Sequence, residues 1–202
     1  MKKQWLVALL MSGFLASVAS AINLGFFVIS PELGGSVGYK KGDLIVTQNG
    51  HKASIADKDH LAYGGYARLW LGIGGLMIAP QVTYEELQNR FNDIEAIDYK
   101  VKFGNLQYGG VIGYQIPLIN LTPYIGASYS HFTRGYGGDS SLKDTWAVNF
   151  GAKLDVPLIP FLTLGINGSW QKTGIHFPGG NDNGHSLDLE LLTTSLTLGL
   201  AF

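Results

Sequence analysis

The sequence predicts an all-β fold: an eight-stranded antiparallel up-and-down transmembrane β-barrel. Three observations predict it. Segment after segment alternates with period two, setting an apolar face against a face of Gly, Ser, Thr, Asn and Gln. The connections alternate between long polar stretches and short turns, as in barrels with tight turns on one side of a membrane and longer loops on the other. Hydrophobic residues make up 46 % of the chain and charged ones only 14 %, against about 25 % charged in a soluble domain. Yet no stretch beyond the N-terminus approaches the ~20 apolar residues of a membrane helix.

The elements follow in order. Residues 1–21 read as a cleaved secretory signal, with Lys2 and Lys3, an apolar run from Trp5 to Leu15, and Ala19-Ser20-Ala21 as the cleavage site. Residues 22–202 are then one barrel domain. The first strand is expected from Ile22 to Tyr39. Leu24, Phe26 and Val28 face outward on this reading, Phe27 and Ile29 interrupt the alternation, and Pro31 with Gly34-Gly35 suggests a bulge. Lys40 to Asp59 reads as a long polar loop with a turn at Asn49-Gly50. A hairpin hidden there would raise the count to ten strands.

Strand two runs from His60 to Gly72, with Tyr66, Arg68 and Trp70 on the face opposite Ala67, Leu69 and Leu71. After the Gly72–Gly75 turn, strand three runs from Leu76 to Leu87, with Ile78, Pro80, Val82 and Tyr84 outward and Gln81, Thr83 and Glu85 inward. A charged loop, Gln88 to Asp98, leads to strand four, Tyr99 to Ile116, and a short turn leads to strand five, Leu121 to Arg134. A third polar loop precedes strand six, Asp144 to Val156. Strand seven, Phe161 to Thr173, precedes the fourth loop, Gly174 to His185. Pro117-Leu118-Ile119 recurs forty residues later as Pro157-Leu158-Ile159, one hairpin period.

Strand eight is the clearest. From Leu192 to Phe202, Leu196, Leu198, Leu200 and Phe202 share one face, and Thr193, Ser195, Thr197, Gly199 and Ala201 the other. Ten steps at roughly 3.3 Å and a tilt near 40° cover about 25 Å, the height of a lipid-facing band. Beyond Leu192 this face turns to Glu190 and Asp188. A final alternating strand closing on a C-terminal aromatic, Phe202, resembles the small Gram-negative outer-membrane barrels, of the eight-stranded OmpA/OmpX-like kind. The resemblance implies the cell outer membrane as location, outer-membrane lipid and lipopolysaccharide as surroundings, and reading of Phe202 by the barrel-assembly machinery. It also implies no appended peptidoglycan-binding domain.

A soluble, lipocalin-like barrel would turn the same faces inside out. The polar face, however, carries small residues that suit a narrow lumen, and Trp146, Trp170, Tyr84, Tyr114 and Tyr129 lie towards the strand ends on the apolar face, where an interfacial girdle belongs.

Three functions are compatible with this frame. The first is an envelope structural or surface-interaction protein working through four outer loops, which carry Lys40-Lys41, Asp57-Lys58-Asp59, Arg90, Asp93, Glu95 and Asp182. The second is a narrow channel. Arg68, Glu85, Lys153 and Asp155 fall on the lumen face, where they form an internal ion-pair plug or line a pore. The third is a lipid-modifying enzyme, with His131 and His185 as the best bases, but no His-x-Ser or Ser-x-His pair occurs, and the reading is of no enzyme. His176, His185 and Asp182 flank one loop without metal-ligand spacing, and there is no Cys. No cofactor is expected. A net charge of −1 implies no nucleic-acid partner. The extracellular ligand is not legible.

Overall fold

The computed structural model describes residues 22–23, 27–48, 51–56, 61–91, 99–133, 141–159, 161–176 and 185–202. Eight strands form the wall: β1 (Phe27–Gln48), β2 (Leu61–Ile73), β3 (Leu76–Phe91), β4 (Tyr99–Tyr114), β5 (Leu121–Thr133), β6 (Thr145–Asp155), β7 (Leu162–His176) and β8 (His185–Ala201). Each pairs antiparallel with its neighbours in chain order, and β8 returns to β1 from Ala201↔Glu32 to His185↔Gln48, which closes the cylinder. Closure leaves no wall strand with an open edge in lipid.

The stagger of the wall follows from the register. Thr122 pairs with Lys153, and the line continues through Gly165, Thr197, Ser36, Gly64, Glu85 and Asn105. It regains β5 at Phe132, ten residues beyond Thr122. For eight strands this offset sets a tilt of about 40°. One residue along a strand then climbs about 2.5 Å, and one step to the next strand about 3 Å.

Those steps order the outer surface by height. Tyr39, Tyr63, Tyr84, Tyr108, Tyr129, Trp146 and Trp170 each come from a different strand and lie at similar height on the outside. Tyr129 packs against Tyr108 (5.5 Å between ring centroids) and edge-on against Trp146 (5.7 Å). This is one aromatic girdle. Tyr114, Phe161 and Phe202 mark the opposite rim, about 20 Å away on the same steps. Between the rims the outward residues are apolar and exposed, Leu33, Ile78, Ile125, Ile166 and Leu198 among them.

The short turns lie at the lower rim. Gly74 (φ 56°) and Gly75 (φ 91°) both take the left-handed conformation required by a two-residue hairpin. The sequence repeat is a structural one: Ile119 N–H bonds to Ile116 C=O, and Ile159 N–H bonds to Val156 C=O.

The first strand and loop differ from expectation. β1 begins at Phe27, and Ile22–Asn23 folds back to pair with Val28 and Ile29. Odd-numbered residues Leu33, Val37 and Tyr39 face outward, so Val28 shares the inward parity. No bulge interrupts the pairing at Pro31 or Gly34-Gly35. Lys40 to Gln48 is not loop but a continuation of β1, and His51–Ala56 returns along it from Gln48↔His51 to Asp43↔Ala56. The hidden hairpin therefore exists, yet it pairs only with β1 and the wall keeps eight strands. The Asn49-Gly50 turn, the signal segment 1–21 and residues 92–98 and 177–184 lie outside the described residues.

Candidate functional site

Inside the wall, side chains fill the lumen in layers. The lowest is organised by Glu32, which is 3 % exposed. Its carboxylate accepts hydrogen bonds from Trp70 Nε1 (2.6 Å), Tyr66 OH (2.7 Å) and Thr163 OH (3.1 Å). Tyr66 reaches Glu32 through space left by Gly34 and Gly199, since a Cβ at either would lie 2.6 or 2.5 Å from the Tyr66 ring or hydroxyl, well inside van der Waals contact. Lys153 Nζ lies 3.0 Å from Asp155 and 4.0 Å from Glu32, so its main partner is Asp155 and the Glu32 contact is secondary. Arg68 stands directly across from Glu32 in register. Its Nε donates to Gln81 and its guanidinium to Asn167, and it lies over the rings of Tyr66 and Tyr124 at 4.6 and 4.8 Å. Trp70, Met77, Ala79, Val111 and Tyr124 pack beside this layer as an apolar floor.

The middle layer is neutral. Ser128 OH donates to Asn149 Oδ1 (2.7 Å), Asn149 Nδ2 donates to Gln107 Oε1 (2.9 Å), and the Ser128 hydroxyl oxygen lies 3.1 Å from the same Gln107 oxygen. Above it, Glu85 and Lys40 are buried at the height of the girdle.

Alternation alone places four charges, Arg68, Glu85, Lys153 and Asp155, on the lumen face. Arg68, Lys153 and Glu85 are buried, Asp155 sits at the lower rim with its side chain 33 % exposed, and of these four the structure joins Lys153 and Asp155. Sequence reasoning missed Glu32 and Lys40. Glu32 was hidden by the uncertain parity of the first strand, and Lys40 by the assignment of its segment to a loop. With both included, acids Glu32, Glu85 and Asp155 balance bases Lys40, Arg68 and Lys153.

At the top of the girdle the wall inverts. Ala62, Leu87, Phe103, Phe132, Leu142, Leu189 and Leu191 point inward and form a buried apolar cluster. Outside, the same height carries Lys41, His131, Asp144, Lys172 and Glu190. Lys172 pairs with Asp188 at 3.0 Å, Lys41 with Asp43 at 3.4 Å, and Trp170 Nε1 donates to Glu190 at 2.8 Å. Water bathes this part of the wall, so the hydrophobic effect favours apolar side chains inside, where below the girdle lipid favours them outside. The signal was legible in Leu187-Asp188-Leu189-Glu190-Leu191 followed by Leu192, where the alternation changes phase.

The candidate bases do not assemble a hydrolytic centre among the described residues. His131 Nδ1 lies 2.9 Å from Asp144 Oδ2 on the outer face. The same carboxylate accepts from Phe132 N–H (3.3 Å) and Tyr129 OH (3.4 Å). No hydroxyl is joined to His131. The side chains of His176 and His185, and Asp182 as a whole, lie outside the described residues.

The hydrogen bond to His131, followed by that from Phe132, holds the Asp144 carboxyl below its ordinary range. A depressed folded value stabilises the fold above the unfolded value, and that contribution disappears as pH falls through the folded one. The β5–β6 clasp accordingly persists through mildly acid pH and is lost only below the ordinary carboxylate range. Thermal unfolding of the parent and of Asp144→Asn should differ at neutral pH and converge in strong acid. A difference that persists unchanged in acid would refute the clasp.

No protein-family model and no curated protein matches the sequence. Solved structures do match. The outer membrane protein OprG from Pseudomonas aeruginosa superposes with a TM-score of 0.61 over 88 % of this chain and 96 % of that one, at 11 % identity. The outer membrane protein AlkL, solved in lipid bilayers, gives a TM-score of 0.50 over 91 % and 93 %, at 15 % identity. Both likenesses are of fold. The chain has the fold of a small outer-membrane β-barrel, and its lipid-facing band is built to stand in a membrane.

Proposed function

We propose that this barrel acts in the cell outer membrane as an envelope structural and surface-interaction protein, with a lumen closed to solutes. One observation carries the reading: buried side chains crowd the bore at two heights. The Glu32 layer and its apolar floor fill the lower half, and the Leu189–Leu191 cluster caps the top. Eight strands leave a bore that side chains can fill, and this crowding supports a closed lumen.

What faces the outside supports the same reading. β1 continues nine residues past Tyr39 to Gln48, paired with β8 on one side and with the His51–Ala56 return on the other. This β-structure rises about 20 Å above the girdle at the climb per residue given above. It offers a paired β-support for the outer loops, suited to presenting a binding surface. The partners of this reading are outer-membrane lipid and lipopolysaccharide around the band and its upper rim, and the barrel-assembly machinery at Phe202 during biogenesis. The extracellular ligand is unidentified.

The competing reading is a narrow ion or solute channel. Single-channel recording of the refolded protein in a planar bilayer separates the two, once heat-dependent gel mobility has shown the barrel folded. Electrical silence is expected. Discrete, reproducible conductance steps would overturn the closed-lumen reading and make Arg68, Glu85 and Lys153 pore-lining residues.

A further inference from the structure

The outer surface below the lower rim is unlike the surface above the girdle. Above the girdle, where water meets the wall, Lys41, His131, Asp144, Lys172 and Glu190 lie outside. Below the rim, residues 116–121 join β4 to β5 and residues 156–161 join β6 to β7, and neither stretch contains a charged residue. Leu118 is 94 % exposed and Leu158 is 93 % exposed, the two most exposed large apolar side chains among the described residues. Ile119, Ile159 and Phe161 are exposed beside them.

The two turns are held as a pair. Each is closed by its own backbone bond, from Ile119 to Ile116 and from Ile159 to Val156. Asn120 completes the first turn in the left-handed conformation (φ 52°), which Asn tolerates better than most residues. β5 and β6 are neighbours, so the turns stand side by side, and Asp155 N–H donates to Asn120 C=O at 3.0 Å. Leu118 and Leu158 are therefore two prongs on one braced ledge. The third short turn has Gly74-Gly75 at its tip and adds no prong.

Height indicates what covers them. The rim of Tyr114, Phe161 and Phe202 lies about 20 Å below the girdle, and Ile116, two residues past Tyr114, lies about 5 Å lower still. An apolar band about 25 Å tall, measured down from the girdle, therefore reaches the turns rather than stopping at the rim. The patch is also continuous with that band, since Leu162 and Leu200 pair directly above Phe161 and Leu200 faces outward. Apolar side chains this exposed are driven out of water, and exposed patches of this kind mark membrane or partner contacts. With no cation among them, the turns fit hydrocarbon rather than a charged headgroup.

We propose that the two Pro-Leu-Ile turns are membrane anchors, with Leu118 and Leu158 inserted among the acyl chains of the periplasmic leaflet. Anchoring is confined to the β4–β7 side of the barrel, where it fixes the depth of the wall and opposes tilting. This surface is separate from the upper rim and the outer loops, and it depends on the membrane band alone.

The chain has no Cys, so a single cysteine carries an environment-sensitive fluorophore without competition. Leu118→Cys and Leu158→Cys are labelled in the full refolded barrel, in nanodiscs of phosphatidylethanolamine and phosphatidylglycerol, whose two faces are both open to solutes. Leu198→Cys serves as the mid-band control and Glu190→Cys as the water control, and heat-dependent gel mobility confirms folding of each. The labels at 118 and 158 should emit at short wavelength, be quenched by lipid carrying a nitroxide high on the acyl chain, and be spared by aqueous iodide. If one variant does not fold, the other answers alone, and Ile119→Cys replaces both. Iodide quenching at 118 and 158 with the Leu198 label still in lipid overturns the anchors and leaves the membrane band standing. Loss of lipid quenching at Leu198 as well overturns both. Labels protected from iodide only in native outer membrane, and not in nanodiscs, would assign the turns to a protein partner and overturn the lipid assignment.

Discussion

Replacing Glu32 with Ala destabilises the barrel by about 3–5 kcal/mol, the cost of breaking a buried charged network from one side. Three donors converge on this carboxylate, from β2 and β7, and each is left without its acceptor. Arg68, directly across the ladder, keeps its bonds to Gln81 and Asn167 but loses the carboxylate of its register partner. Lys153 suffers less, because Asp155 lies closer to it than Glu32 does. Glu32→Gln should fall between parent and Ala, since an amide oxygen still accepts one or two of the bonds while the charge is gone. Denaturant unfolding in lipid, followed through the fluorescence of Trp70 and its fellow tryptophans, reads the effect. A loss below about 1 kcal/mol in Glu32→Ala, the range of a single neutral hydrogen bond, would show that the layer is not an energetic hub.

The second large effect tests the inversion at the girdle. Leu189 and Leu191 are 1 % and 0 % exposed in the apolar cap. Each, replaced by Ala, should lose about 2–5 kcal/mol, as deletions in a packed core do. Leu198, on the same strand but 57 % exposed below the girdle, answers to lipid. Leu198→Arg should cost about 2–4 kcal/mol near mid-membrane. Glu190, on the outer face above the girdle, should accept Arg at little cost beyond its bond to Trp170. The decisive outcome is the pattern along β8: sensitivity at odd positions above Leu192 and at even positions below it. Equal sensitivity of Leu189 and Glu190 would mean that no separate core exists above the membrane.

Much of this molecule was legible beforehand because barrel strands are read locally. Ile78, Pro80 and Val82 in β3, and Leu164 and Ile166 in β7, lie outward as their alternation requires, with Gln81, Thr83, Asn167 and Ser169 buried opposite. The first hairpin was misread for an equally local reason. Lys40, Lys41 and Asp43 resemble loop residues, and only their pairing with Thr193, Leu192 and Glu190 makes them strand. Charged residues on the outer face of a wall above the membrane meet water on one side, so their composition does not separate strand from loop.

What the sequence determined by itself was the alternation, the number of wall strands, the face each side chain takes from β2 to β8 and the place of the short turns. Each depends on a two-residue period or on turn chemistry, which act over a few neighbouring residues. The tertiary structure decided which lumen groups meet. Glu32 and Thr163 are far apart in the chain, and they bond because β8 closes on β1. It also decided where the cap lies. Those outcomes depend on a ten-residue stagger accumulated around eight strands, a property of the closed cylinder that no single strand carries.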